Sequence, residues 1–315
     1  IVPDTKASLG SLELTPDVSG KTITFPYVGL DYNTDYTFML VGNVVSDLTD
    51  NTLSTPISIN FKTLNKPLVV KRAYDFIMGE DGDFADALEA AKAAAPTGNR
   101  FIIFFPNGEY DLGNTTGDAT QQTHIGIPNV SYIGESADGV ILFNNPDPKD
   151  EGIGNTPTIN FLSSSSDVYM QDLTLLNKMD YRTGEFKGRA VALRDQGDRS
   201  IFKNVKLKSN QDTYYTGSGR SYWEEGEIHG TVDFIFGWST AVFENCEIYS
   251  KKGGSYITAA STNQGASSGL TFINCKLTGD APDNSVYLGR PWRDYAQTVF
   301  INCEMGKHIK TEGWH

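Results

Sequence analysis

Four short segments of this chain share one pattern, and their repetition limits the folds open to it. "FKNVKL" begins at residue 202, "FENCEI" at 243, "FINCKL" at 272 and "FINCEM" at 300. Each reads Phe-x-Asn-(Cys/Val)-x-(Leu/Ile/Met), at offsets of 41, 29 and 28 residues. Similar strands at unequal spacing predict a solenoid whose coils carry loops of different length.

A parallel β-helix gives the repeated positions a physical role. Equivalent strands of successive coils stack about 4.8 Å apart, so that like side chains form columns. The Phe and Cys positions are predicted to point inward, and the Asn to bond along a turn. The three cysteines, Cys246, Cys275 and Cys303, all lie in the repeat. We interpret them as packing residues rather than as a disulfide framework.

The segments before the repeat predict two further parts of the fold. "KTITFPY" and "ISINFKT" alternate apolar and polar residues, as half-buried strands do. They predict a small β-sandwich-like module over residues 1–64, loosely similar to Ig-like or fibronectin-type modules, with a linker over 65–71. "DGDFADALEAAKAAAP", residues 81–96, predicts a helix, because Phe84 and Leu88 share a face and a proline ends the run. We therefore expect an all-β chain: the small module, then a parallel β-helix over 72–315 that opens with a short N-terminal helix.

Charge and composition exclude several classes of function. The formal net charge of -13 argues against a nucleic-acid binder, which needs a basic surface. It also mildly repels a polyanion, but not a neutral ligand or an acid masked as an ester. The longest apolar runs are too short to cross a bilayer. Neither the cysteines nor the four histidines have the spacing of a metal site, so we expect no metal.

Two aspartates are spaced like neighbours on a solenoid. Asp212 lies in "NQDTYY" and Asp233 in the apolar run "GTVDFIFG", 21 residues later. That separation is about one coil, so both side chains can face one groove at roughly 5 Å. Two carboxyl groups this close split their pKa values, which leaves one a proton donor and the other a carboxylate. This division suits acyl transfer with a nucleophile and a general acid/base.

A third segment, "YLGRPWRDY", supplies a cation and an aromatic surface. Arg290 lies between Gly289 and Pro291, a rigid setting for a long side chain. A guanidinium can hold a carboxylate with two hydrogen bonds. Trp292 beside it offers a flat apolar face of the kind on which sugar rings stack.

The strings "NQDTYY", "GTVDFIFG" and "YLGRPW" resemble, in order and spacing, signature blocks of the pectin methylesterases, or pectinesterases. Further blocks of the same family resemble "GRAVALR" and "YITAASTNQGASSGLTFINCKL". The resemblance covers roughly residues 72–315. It implies a right-handed parallel β-helix that hydrolyses methyl esters of galacturonate units in pectin, releases methanol and needs no cofactor. Such a protein is expected to be secreted, periplasmic or cell-surface and to act as a monomer, although no signal-peptide pattern is present in this chain.

The resemblance also implies roles for single residues. Asp233 matches the nucleophile, and Asp212 the general acid that later serves as base. Gln211 matches an amide donor to the oxyanion, and Arg290 the residue that orients Asp233. The residues implied to line the sugar groove are Trp292, Phe236 and Tyr214.

Two residues and the C-terminal end depart from the family pattern. Arg189 stands where the family has a Gln that helps hold the oxyanion. It could donate to the oxyanion with more charge, pair with a nearby Asp, or bind a carboxylate on the sugar. Leu112 stands where the family often has Glu, and the family usually continues beyond "TEGWH", so we expect a shortened C-terminal end. Arg189 leaves open a catalytically weak or inactive pectin-binding β-helix.

Two other enzyme classes remain as alternatives. "GASSG", residues 265–269, fits the G-x-S-x-G of a serine esterase, but a strand rather than a helix is expected after it, so we predict a loop. A β-helical polygalacturonase needs an acid/base pair for glycosidic hydrolysis, and a pectate lyase usually needs calcium ligands. No Asp-Asp pair or acidic ligand cluster stands out in the solenoid segment.

Overall fold

The structure is a computed structural model. It describes residues 7–19, 22–27, 29–43, 45–46, 51–64, 72–113, 115–118, 120–179 and 188–315. The chain divides into two compact units, Ile1–Lys71 and Arg72–His315. The predicted linker, residues 65–71, lies outside the described residues.

The smaller unit consists of short antiparallel strands. They are β1 (Ala7–Leu9), β2 (Leu12–Leu14), β3 (Asp17–Ser19), β4 (Thr22–Thr24), β5 (Asp35–Leu40) and β6 (Ile57–Lys62). Four of them form a sheet in the order β2-β1-β5-β6, and β3 pairs with β4. Four buried side chains form a small core in this unit: Ala7, Leu9, Leu14 and Leu40. A small β module is therefore present, and its Ig-like or fibronectin type stays a prediction.

Near the start of the larger unit lies the predicted helix, α1 (Phe84–Ala94), followed by a 3-10 turn (Ala95–Thr97). Asp83 caps the helix by accepting from the backbone N–H of Asp86, whose side chain accepts from Asp83 in return. Phe84 is buried and its ring packs against those of Phe105 and Tyr132, at centroid distances of 5.8 and 6.3 Å. The apolar face of α1 thus packs on the first coils of the β-helix.

The remaining described strands form a parallel solenoid. They are β7 (Phe76–Ile77), β8 (Phe101–Phe105), β9 (Gly108–Asp111), β10 (Thr123–Ile125), β11 (Val130–Gly134), β12 (Val140–Asn144), β13 (Ile159–Phe161), β14 (Tyr169–Asn177), β15 (Leu193–Asp195), β16 (Ser200–Lys208), β17 (Tyr214–Thr216), β18 (Arg220–Glu224), β19 (Glu227–Gly230), β20 (Val232–Gly237), β21 (Thr240–Glu244), β22 (Glu247–Ser250), β23 (Tyr256–Ala260), β24 (Leu270–Ile273), β25 (Lys276–Gly279), β26 (Tyr287–Gly289), β27 (Thr298–Ile301) and β28 (Glu304–Met305). A second 3-10 turn (Pro148–Asp150) lies between β12 and β13.

Three faces of the solenoid follow from the strand pairing. One is a seven-stranded parallel sheet in the order β10-β13-β15-β17-β20-β23-β26, called here the seven-stranded face. The other two belong to a 15-stranded sheet. Strands β14 and β16 each bend and contribute to both of these faces. In later coils two separate strands, such as β18 and β19, take the place of one long strand.

The asparagine of the repeat makes the bend between those two faces. Asn204, Asn245, Asn274 and Asn302 have φ of 49°, 55°, 54° and 52°, in the left-handed region that Asn tolerates better than most residues. Asn302 Nδ2 also donates to Asn274 Oδ1 at 2.6 Å, so the corner side chains bond along the stack.

The aromatic position of the repeat forms an inward column, as predicted. Ring centroids lie 4.3 Å apart for Phe202 and Trp223, 6.1 Å for Trp223 and Phe243, and 4.5 Å for both Phe243–Phe272 and Phe272–Phe300. Trp223 pairs in register with Phe202 and Phe243. The 41-residue offset is therefore two coils, of 21 and 20 residues, rather than one coil with a long loop.

The cysteine position also faces inward, and all three cysteines are free. Cys246 and Cys275 are buried, whereas Cys303 is partly buried. The Cys275 thiol donates to the Phe243 carbonyl oxygen at 3.3 Å. The interpretation of these residues as packing groups is confirmed.

Candidate active site

Asp212 and Asp233 lie on consecutive coils of the seven-stranded face. Tyr214 of β17 pairs with Ile235 of β20, so the aspartates two residues before each are neighbours. The Asp212 N–H donates to the Val232 carbonyl oxygen at 3.0 Å. Both aspartates are only 6% exposed. The 21-residue spacing thus brings the two acids together.

Backbone irregularity explains how an apolar strand carries Asp233. The register between β20 and β23 shifts between Val232 and Ile235, which marks a bulge. Asp233 has a φ of 49° and Asp212 a φ of 63°, both left-handed. Bulges re-aim side chains, and such backbone strain is found most often at functional sites.

Arg290 pairs with Asp233 through two hydrogen bonds. Its Nε donates to Oδ1 at 3.0 Å and its Nη2 to Oδ2 at 2.5 Å. Arg290 follows β26, whereas Asp233 lies on β20 and β23 intervenes. The guanidinium crosses this gap over the ring of Tyr256, 4.5 Å from its centroid. This bidentate pairing compensates for the burial of the Asp233 carboxylate.

The second carboxyl group has a different electrostatic environment. Burial, and then the negative charge of Asp233, raise the pKa of Asp212 to about 8. Arg189 and Arg290 oppose this rise, and Glu151 adds to it. At neutral pH Asp212 therefore keeps its proton, while Asp233 is held as the partner of a guanidinium. The site combines a proton donor and a carboxylate.

Arg189 and Gln211 lie side by side on neighbouring coils, and Gln211 directly precedes Asp212. They pair as a parallel bridge on neighbouring coils, and Gln211 is partly buried. The Arg189 side chain is 50% exposed, and its Nη1 lies 3.6 Å from Glu151 Oε1. Glu151 Oε2 also accepts from the Arg189 N–H at 2.8 Å. Arg189 thus pairs with an acid other than Asp212 and Asp233, a partner that the sequence did not reveal.

An aromatic groove of about 520 Å³ runs beside these residues. Tyr215 and Phe236 stack in it with centroids 4.6 Å apart. Trp292 is 51% exposed on its wall. The other aromatic and aliphatic side chains that line it are Ile153, Trp238 and Tyr295. The predicted groove residues Phe236 and Trp292 lie on this surface.

The prediction of a sugar contact at Tyr214 is wrong. Tyr214 is completely buried, with its ring 5.0 Å from that of Trp223 and its hydroxyl donating to Ser221 Oγ at 3.1 Å. Successive side chains of a strand point to opposite faces, so Tyr215 is the one that points outward. The register of Tyr215 with Phe236 is the signal that separates the two tyrosines.

Other predicted or alternative positions lie outside this site. Residues 265–269 form a loop before strand β24, without the helix that a nucleophile elbow requires. Leu112 is completely buried in the main core. Within the described ranges, no group of three or more His, Cys, Asp or Glu side chains could hold a metal ion. The same part of the chain has no helix long and apolar enough to cross a membrane.

The molecule is a parallel β-helix protein with a pair of unlike carboxyl groups beside an open aromatic groove. The family model described as Pectinesterase matches residues 76–315 of this chain. The chain belongs to the pectinesterase family.

Individual relatives agree with this assignment. The putative pectinesterase/pectinesterase inhibitor 38 of Arabidopsis thaliana is 30% identical over 269 residues, which are 80% of this chain and 54% of that protein. The chain thus spans about half the length of the plant relatives that it matches.

Solved structures of pectin methylesterases are similar to this fold. Pectin methylesterase PemA from Erwinia chrysanthemi has a TM-score of 0.64 and 30% identity, over 76% of this chain and 81% of that one. A pectin methylesterase in complex with hexasaccharide VII has a TM-score of 0.63 and 31% identity, with the same coverage of 76% and 81%. The predicted right-handed parallel β-helix is confirmed.

Proposed function

We propose that this protein hydrolyses the methyl esters of galacturonate units in pectin and releases methanol. One observation carries the proposal: Asp233, held by two hydrogen bonds from Arg290, lies beside the proton-bearing Asp212 at the edge of an aromatic groove. Membership of the pectinesterase family supports the same reaction.

In the first half of the reaction Asp233 is the nucleophile. One of its oxygens attacks the ester carbonyl carbon, and the carbonyl π electrons move to the oxygen. Arg290 fixes the direction of attack, and the Gln211 amide donates to the oxyanion, a contact worth roughly 3 kcal/mol in comparable sites. When the intermediate collapses, the departing methoxide takes the proton of Asp212 and leaves as methanol. The galacturonate acyl group is then bound to Asp233 as an anhydride.

In the second half Asp212 acts as a base. Its carboxylate takes a proton from water, whose oxygen attacks the acyl carbon. The carbon–oxygen bond to Asp233 breaks, its electrons return to the Asp233 carboxylate, and the free acid departs. Asp212 is again protonated, as its raised pKa favours.

The groove suggests how the polysaccharide is held. Trp292 and Phe236 offer ring faces to pyranose units, and Tyr215, which is buried and stacks on Phe236, supports the floor of the groove. Both methylesterified homogalacturonan and a decorated pectin remain candidates. We propose that residues 72–315 act as a monomeric catalytic domain without a cofactor, after a module at 1–64, in a secreted, periplasmic or cell-surface protein.

Methanol release from highly methylated pectin tests this function. Asp233→Asn should lower the rate about a thousandfold or more, since removing a nucleophile has effects of at least this size. Asp212→Asn should also abolish turnover, and Asp17→Asn on the exposed strand β3 serves as the matched control.

Other outcomes identify the alternatives. No release by the wild type would favour a pectin-binding protein, and equal release by wild type and Asp233→Asn would refute the assigned nucleophile. A fall in pectin viscosity or an unsaturated product would indicate chain cleavage. Complete inhibition by a serine-directed phosphonate would overturn the aspartate mechanism.

A further inference from the structure

A ladder of outward side chains runs along the seven-stranded face. His124 of β10, Asn160 of β13, Arg194 of β15, Tyr215 of β17 and Phe236 of β20 pair in register, one per coil. The ladder is polar up to Arg194 and aromatic from Tyr215 onward. Since Tyr215 and Phe236 line the aromatic groove, Arg194 lies one coil beyond its aromatic floor.

The polar neighbours of Arg194 are already occupied with one another. Gln196 Nε2 donates to Asn160 Oδ1 at 3.0 Å, and Asn160 Nδ2 lies 3.0 Å from His124 Nδ1. His124 Nε2 lies 3.1 Å from Asp118 Oδ2. This chain of hydrogen bonds ends at the one carboxylate in it, which lies three coils from the aromatic groove and contacts His124 rather than Arg194.

Arg194 itself has no acidic partner within the described part of the chain. Its Nε is buried without a hydrogen-bond partner, and its Cζ lies 4.9 Å from the centroid of the Tyr215 ring. The other two arginines near the acids are both paired, Arg290 with Asp233 and Arg189 with Glu151. The charge of Arg194 acts on the Tyr215 hydroxyl, which is a neutral group, so no carboxylate of the described residues balances this guanidinium.

We propose that Arg194 binds the free carboxylate of a galacturonate unit near the one whose ester is cleaved, so that partly de-esterified pectin is the favoured substrate. The inference rests on the proposed function. A polysaccharide lying across the strands meets a new coil about every 4.8 Å, and β15 is one such step from β17 and two from β20. A guanidinium can bind a carboxylate through two hydrogen bonds. Because the protein carries a net charge of -13, a local cation is needed to favour an anionic unit.

The comparison of two substrates tests this assignment. Arg194→Gln should lower kcat/KM for partly de-esterified oligogalacturonates about tenfold, the usual effect of losing one charge-assisted hydrogen bond. It should change kcat/KM for the fully methylesterified oligomers less than twofold. Arg194→Lys, which keeps the charge, should recover part of the loss. Lys252→Gln on an exposed turn makes the same change in net charge and should affect neither substrate.

The result that would overturn the inference is an equal loss on both substrates, because Arg194 would then only support the Tyr215 ring. A second arm measures binding of unesterified oligogalacturonate to Asp233→Asn by calorimetry, with and without Arg194→Gln. About tenfold weaker binding is expected, and unchanged binding would refute the site. If the wild type released no methanol, the proposed function would fail, while this binding arm would still decide the role of Arg194.

Discussion

Replacing Asp212 by Asn should stabilise the β-helix at alkaline pH while it removes the proposed proton donor. The pKa of Asp212 is raised from 3.8 to about 8, first by burial and then by the charge of Asp233. The folded protein therefore keeps a proton that the unfolded chain releases. The stability that this group contributes is complete below about pH 4 and is lost as the pH rises through about 8. Asn imitates the protonated form and does not titrate.

The size of the effect follows from that shift. Each pH unit between the two pKa values changes the free energy of unfolding by about 1.4 kcal/mol. Three units, from pH 5 to pH 8, give about 4 kcal/mol as an upper limit, and local relaxation around the charge lowers this towards about 2 kcal/mol. The advantage of Asp212→Asn over the wild type should grow by an amount in this range.

Urea unfolding followed by tryptophan fluorescence measures this growth. All four tryptophans, at 223, 238, 292 and 314, belong to the larger unit, so the signal reports the β-helix alone. Asp294→Asn, at an exposed position of the same unit, serves as the matched control. A difference between Asp212→Asn and wild type that stays constant from pH 5 to pH 8 would refute the assignment of a raised pKa.

Three further predictions concern the site and the coils. Arg290→Lys should lower methanol release about a hundredfold without loss of fold by circular dichroism, since an ammonium cannot make both hydrogen bonds to Asp233, and normal release would contradict the orienting role. Arg189→Gln should retain or raise methanol release, whereas a large loss would make Arg189 itself essential; Glu151→Gln, which removes its partner, is the companion variant. Asn274→Val should lower the free energy of unfolding by about 1–2 kcal/mol more than Asn274→Gly does, because both variants lose the hydrogen bond from Asn302 but only Val is strained at a φ of 54°; equal effects would argue against backbone strain at the bend.

The coil architecture could be predicted because a solenoid repeats its local rules. The Phe and Cys positions recur because each packs on its own equivalent in the next coil. The coil of Trp223 escaped the pattern because three of its four diagnostic positions differ and only Ile228 fits: Trp replaces Phe, Glu225 makes the left-handed bend, and Gly226 stands in the place of Cys. Different residues can therefore form a coil of the same shape, and such a coil does not show the repeated sequence pattern.

The site could be predicted only as far as spacing along the chain determines it. A separation of 21 residues placed Asp212 next to Asp233. The two adjacent tyrosines could not be separated without the strand register. Glu151 arrives from the loop between β12 and β13, and the isolation of Arg194 depends on contacts across several coils. Neither relation leaves a trace in local sequence.

The path of Arg290 over Tyr256 links Asp233 to a coil that lies two strands further along the seven-stranded face. Each coil of such a stack is supported mainly by its neighbours, so one coil can open locally while the others stay folded. Detachment of β26 alone would withdraw the guanidinium from Asp233 while most coils remain intact. Methanol release should therefore be lost at a lower temperature than the one at which the bulk of the β-helix melts, because the pairing of Asp233 depends on the coil that carries β26.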